Sequence, residues 1–118
     1  MRLKEEGDSK RVLAVCTANM LRSPTAAVVL SQEPYNFNTR SCGIDEDALI
    51  PVTLRLLGWA EEIVCMDKTH FNHLWNMLDG DDKYKLSCLG IPDVYNYMET
   101  ELVNLIKERY NRIHEDNP

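Results

Sequence analysis

The sequence of 118 residues is poor in the features that mark several large classes of protein. No apolar run approaches the ~20 residues that a membrane-spanning helix requires. Met1 to Lys10 has no apolar centre of the kind a secretory signal carries. Positive charge is short: 13 Lys and Arg stand against 19 Asp and Glu, and a net charge of −6 would repel a nucleic acid. The four cysteines, Cys16, Cys42, Cys65 and Cys88, include no C-x-x-C pair and have no histidines at zinc spacing. That argues against a zinc module and for a reducing, cytoplasmic setting. What the sequence does have is ordinary globular composition, 44% hydrophobic and 27% charged, enough for one core.

The five glycines and five prolines punctuate an alternation of strands and helices. Residues 1–10 are charged and aperiodic, and are expected to form a mobile arm before a single domain over 11–114, with a tail over 115–118. Val12 to Val15 is a short apolar run suited to a strand buried on both faces. Ser23 as N-cap and Pro24 at the first helical position predict a helix reaching Leu30. Thr39 to Cys42 predicts a second strand stopped by Gly43. Pro51 predicts the start of a second helix, with Gly58 as its stop. Ile63 to Met66 reads as a third, central strand. Asp67 then caps a helix with Phe71, Leu74, Trp75 and Leu78 on one face, which places Trp75 in the core and makes Gly80 its end. Lys85 to Leu89 is a weaker fourth strand. A last helix carries Val103, Ile106, Tyr110 and Ile113 on one side, and the chain should fray from His114. Such an alternation implies a parallel sheet covered on both faces, with ligands beyond the carboxyl ends of its strands.

The chemistry concentrates in V-L-A-V-C-T-A-N-M-L-R-S-P, Val12 to Pro24. A strand, a loop and a helix start point backbone N–H groups and a positive helix end into one small space, which suits an anion. Cys16 opens that loop and is a candidate thiolate, because the same field favours the ionised sulfur. Arg22 closes it with a planar fork that matches two phosphoryl oxygens. The loop amides from Thr17 through Ala18, Asn19, Met20 and Leu21 to Arg22 would surround the anion. Asn19 tolerates positive φ. The Ser23 hydroxyl can reach the Cys16 sulfur. Far along the chain, Asp93 emerges on the same edge of the sheet and could supply a proton. Tyr95 and Tyr97 follow it as candidate aromatic walls.

C-T-A-N-M-L-R-S resembles the phosphate loop of protein tyrosine phosphatases, and its early position resembles the low-molecular-weight class. T-R-S-C-G at Thr39 to Gly43 is similar to that class's second-strand element. W-A-E-E-I-V-C-M-D at Trp59 to Asp67 is similar to its third strand, and G-I-P-D-V-Y at Gly90 to Tyr95 to its acid loop. The short chain is most similar to a compact bacterial or phage branch. The resemblance implies a three-layer α/β fold, a four-stranded parallel sheet in the order 2-1-3-4 with helices on both faces. It implies Cys16 as nucleophile, Arg22 as clamp and Asp93 as acid and base. Thr17, Ala18, Asn19, Met20, Leu21, Ser23, Tyr95 and Tyr97 would hold phosphate or substrate. No metal or cofactor is implied. The implied partner is a phosphotyrosine protein or a small phosphomonoester, with inorganic phosphate as product, no nucleic acid, no membrane, and the protein acting as a monomer.

The sequence departs from the family in three places. Ala18 replaces a glycine, and Ala does not freely adopt positive φ. Leu21 replaces a second loop cysteine, and Val94 a proline after the acid. Ala18 and Val94 keep open a phosphate- or phosphotyrosine-binding regulator without turnover, and the same fold also supports an arsenate reductase. The latter needs two more cysteines within reach of the first, and Cys65 and Cys88 are not a closely spaced pair. Cys42, Cys65 and Cys88 read as inert core thiols. His70 and His73 read as solvated or capping residues, and Asp79, Asp81 and Asp82 as a solvated turn rather than a calcium loop. Selectivity is expected to lie in Glu33 to Asn38 and Ile44 to Pro51.

Overall fold

The computed structural model describes residues 9–115. The expected arm and tail therefore lie outside the described residues, apart from their inner ends. Four strands, β1 (Arg11–Cys16), β2 (Asn38–Gly43), β3 (Glu62–Cys65) and β4 (Leu86–Cys88), alternate with four helices. These are α1 (Arg22–Ser31), α2 (Leu54–Trp59), α3 (Lys68–Met77) and α4 (Thr100–Glu115). The strands are all parallel and stand in the order β2-β1-β3-β4. This is the expected order, with β1 and β3 in the centre. Their sequences, R-V-L-A-V-C and E-I-V-C, are buried almost throughout, as strands covered on both faces must be.

The pleat of β1 divides the core in two. Val12, Ala14 and Cys16 face α1 and α4, packing with Ala26, Val29, Leu30, Leu102, Ile106 and Tyr110. Leu13 and Val15 face α2 and α3, packing with Leu57, Leu74 and Leu78. All four βα connections leave from the carboxyl edge, so the loops after β1, β2, β3 and β4 converge there.

Several element ends differ from expectation, each for a local reason. Helix α1 begins at Arg22, with Leu21 as its cap residue and no side-chain cap. Ser23 lies inside the first turn because its hydroxyl is engaged with Cys16 instead. Helix α2 is capped by Thr53, whose hydroxyl accepts from the Leu56 N–H. Pro51 instead forms an isolated bridge with Gly43, and Gly58 lies within the helix. Helix α3 ends at Met77, before Gly80, which opens a short 3-10 turn over Gly80–Lys85. Trp75 is not core but 44% exposed. It sits on the flank of the apolar stripe, stacked on Phe71, with the Lys83 ammonium over its outer face while Lys83 also donates to the Trp75 and Leu78 carbonyls. Helix α4 continues through His114, whose Nε2 stands 2.7 Å from Glu62 Oε2. Lys10, at the arm's inner end, is 2.9 Å from the other oxygen of the same buried carboxylate.

Candidate active site

The loop between β1 and α1 closes a cavity of about 210 Å³, lined by Cys16, Thr17, Ala18, Met20, Leu21, Arg22 and Asp93. The nucleophile candidate, the arginine and the acid candidate thus share one small space, although Asp93 comes from the loop after β4. Arg22 is 3% exposed and held from three directions. One Nη1 donates to Asp67 Oδ2 and to the Ile91 carbonyl, both at 2.9 Å, and Nε lies 3.6 Å from Asp93 Oδ1. Fixed in this way, the guanidinium would meet an anion without first having to lose its side-chain freedom.

Behind the loop a second set of bonds holds its shape. Asn19 takes the left-handed conformation, φ 58°, and its Nδ2 donates to Ser23 Oγ at 3.0 Å and to Ser41 Oγ at 2.9 Å. Ala18 is not among the residues with positive φ, so the alanine carries no backbone strain there. Ser23 Oγ stands 3.0 Å from the Cys16 sulfur and donates to the Cys42 carbonyl at 3.2 Å. Asn19 and Ser23 are therefore buried supports rather than cavity walls.

The segment after β2 runs alongside the loop. Ile44 N–H donates to the Cys16 carbonyl, Asp45 N–H to Thr17 and Leu49 N–H to Ala18. This requires glycine at 43: a Cβ there would lie 2.3 Å from the Thr17 carbonyl oxygen. Of the two segments expected to govern selectivity, Ile44 to Pro51 borders the loop. Glu33 to Asn38 does not, because Asn38 pairs with Arg11 at the amino end of the sheet. Tyr95 is half-buried against the α1–α4 core and Tyr97 is half exposed; neither lines the cavity.

Two residues at the site were not singled out by sequence reasoning. Asp67, expected only as a helix cap, also pairs with Arg22. Burial pushes its carboxyl up, but Arg22, His70 and the Thr69 N–H outweigh this and hold it below the ordinary value. His70 does cap, yet it is fully buried rather than solvated. Its Nε2 lies 2.8 Å from the Thr17 hydroxyl. The only signal available beforehand was a His three residues after an Asp, a variant of the capping box.

The other thiols divide by side. Burial pushes Cys42 up to about 12, with Cys16 adding to it, and burial with Cys88 beside it drives Cys65 upward. Cys65 and Cys88 are partners in register on β3 and β4, so they are neighbours in space despite their separation in sequence. They belong to the core on the α2–α3 face, whereas Cys16 belongs to the other. Among the described residues, no three His, Cys, Asp or Glu side chains converge where a metal ion could be held, and no helix is long and apolar enough to cross a membrane.

No protein-family model and no curated protein matches the chain. Solved structures do. A low-molecular-weight phosphotyrosine phosphatase from Vibrio cholerae O395 superposes with a TM-score of 0.68 at 23% identity, covering 92% of this chain and 99% of its own. The tyrosine phosphatase Wzb from Escherichia coli K30, solved with phosphate, gives 0.69 at 18%, covering 93% and 99%. The YwlE arginine phosphatase from Geobacillus stearothermophilus gives 0.63 at 19%, covering 92% and 99%. With nearly full coverage on both sides and the strand order found here, the chain has the α/β fold of the low-molecular-weight phosphotyrosine phosphatases.

Proposed function

We propose that this chain is a metal-independent phosphomonoester hydrolase, acting on phosphotyrosine through a cysteinyl-phosphate intermediate. The observation that carries this is the single cavity bounded by Cys16, Arg22 and Asp93. The Cys16 thiolate attacks phosphorus, the bond to the phenolic oxygen breaks, and Asp93 gives its proton to that oxygen. The Asp93 carboxylate then takes a proton from water; the water oxygen bonds to phosphorus and the sulfur leaves. Arg22 and the loop amides supply the positive charge for the transferring group, in the manner of an oxyanion hole. Met20 and Leu21, half exposed at the mouth, give the cavity apolar walls that suit an aromatic leaving group better than a charged one. The phosphatase neighbours act on tyrosine or on arginine by their names, so the same fold houses both.

Turnover of p-nitrophenyl phosphate tests the reaction. Cys16→Ser is expected to abolish it, and activity surviving in that variant rules out the covalent route. Asp93→Asn should lower kcat by about 10²- to 10⁴-fold on phenyl phosphate, and by less on p-nitrophenyl phosphate, whose leaving group needs no proton. Equal losses on the two would remove Asp93 from the role of acid. Phosphopeptide binding by wild-type protein without any turnover would instead identify a regulator. The alanine at 18 no longer favours that alternative, since it sits in an unstrained conformation.

A further inference from the structure

We propose that His70 is a positioning residue for the phosphate loop, a neutral imidazole that ties the first residue of the loop to the arginine at its end. The proposal rests on the hydrolase reading for the site it serves. The tautomer follows from the geometry. The Asp67 backbone N–H can only donate, and it points at His70 Nδ1 at 3.1 Å. Nδ1 therefore carries a lone pair, and the ring proton of the neutral form sits on Nε2. That N–H donates to Thr17 Oγ1 at 2.8 Å. Thr17 follows the nucleophile directly and lines the cavity.

From the other side of the ring, the chain of contacts continues through the residue His70 helps to cap. Asp67 Oδ1 accepts the Thr69 N–H at 2.9 Å, and its Oδ2 accepts from Arg22 at 2.9 Å. Thr17, His70, Asp67 and Arg22 thus form one connected run from the opening of the loop to its close. With the ring 0% exposed, no water can substitute for either bond when it is lost.

Protonation would place a second proton on Nδ1, against the Asp67 N–H at 3.1 Å, and exchange that capping bond for the longer 3.5 Å approach to Asp67 Oδ1. Four charged or titratable groups act on the ring: Asp67, whose Oδ1 lies 3.5 Å from Nδ1, His73 on α3, Arg22 from α1 and Asp93 from the loop after β4. Burial, Arg22 and His73 disfavour the imidazolium, and they prevail over the two carboxylates. The neutral tautomer is accordingly the form present through neutral pH.

Vanadate affinity by calorimetry, kcat and KM on p-nitrophenyl phosphate, and the melting temperature should be measured for four single variants and one double variant. Thr17→Val leaves the helix cap intact and removes only the acceptor; it is expected to weaken vanadate binding about tenfold. His70→Leu removes both bonds and should do at least as much. His70→Gln can accept the Asp67 N–H and donate to Thr17, and Thr17→Ser restores the hydroxyl; each should recover most of the loss. The Thr17→Val and His70→Leu effects should not add in the double variant. A melting temperature that falls while vanadate affinity and kcat/KM hold steady in both Thr17→Val and His70→Leu would overturn the proposal. Absent turnover in the wild type, with vanadate still bound and still sensitive to Thr17→Val, would instead count against the hydrolase reading alone.

Discussion

Ser23 has one hydroxyl proton and two acceptors for it. With Cys16 protonated, its S–H can donate to Ser23 Oγ while Ser23 donates to the Cys42 carbonyl; with Cys16 ionised, the Ser23 proton belongs on the sulfur 3.0 Å away. On the proposed covalent route, Ser23 would accordingly stabilise the thiolate that departs in the second step more than the sulfur–phosphorus bond that precedes it. Ser23→Ala should lower kcat by about 10- to 100-fold, the worth of a hydrogen bond to a charged group, and should do so by slowing the second step. Rapid mixing would show this as a burst of p-nitrophenol followed by slow turnover, and a decline without a burst would place Ser23 in the first step. Cys16 and Arg22 were legible in the sequence because one strand-loop-helix fixes their types and spacing, whereas Asp93, in the loop after β4, was reached only through the sheet edge it shares with them. The Thr17–His70 bond was not legible, since its partners are 53 residues apart and meet only when α3 packs against the sheet. The alanine at 18 is tolerated because the loop's left-handed residue is its neighbour Asn19.

At the level of elements, the site depends on how closely β2 and the segment after it approach the phosphate loop. Their contact is backbone to backbone, three N–H donors from 44, 45 and 49 on the carbonyls of 16, 17 and 18. Gly43 is the residue that permits it. Gly43→Ala would thrust a methyl group into the Thr17 carbonyl and Ala48, 2.3 and 2.8 Å away. Neither backbone nor a buried Cβ can move aside cheaply, so a loss of about 1–3 kcal/mol in stability is expected by urea titration. Vanadate binding should weaken with it, because the displaced carbonyl belongs to the loop; unaltered affinity would show that the loop keeps its shape independently of β2. The strands were legible as elements from their apolar runs, but their neighbours' ends were not. Ser23 and Pro51 carry strong helix-start propensity, yet Ser23 is drawn to sulfur and Pro51 to a bridge with Gly43, and in each case a tertiary partner outweighs the local signal.

For the whole molecule, the order β2-β1-β3-β4 brings both ends of the chain's described part to one buried carboxylate at the amino edge, and its chemistry to the opposite edge. Glu62, 6% exposed, accepts from Tyr110 at 2.6 Å and faces Lys10 and His114. At the carboxyl edge, His70 has a folded-state affinity for protons below that of the free imidazole, whose ordinary value is 6.5, chiefly through burial. The unfolded chain therefore binds more protons than the folded one between 6.5 and the lowered value, and stability must fall as pH descends through that window. Asp67 is lowered too, but from 3.8, so its contribution persists until the pH passes below that and then is lost. The decline just below neutrality thus contains a His70 component that the Asp67 component does not overlap. Urea midpoints measured at pH 7.5, 6.5, 5.5 and 4.5 should fall more steeply for the wild type than for His70→Gln, which keeps the two hydrogen bonds and cannot take up the proton. Parallel declines in the two proteins would assign the acid sensitivity elsewhere, to groups other than the imidazole behind the phosphate loop.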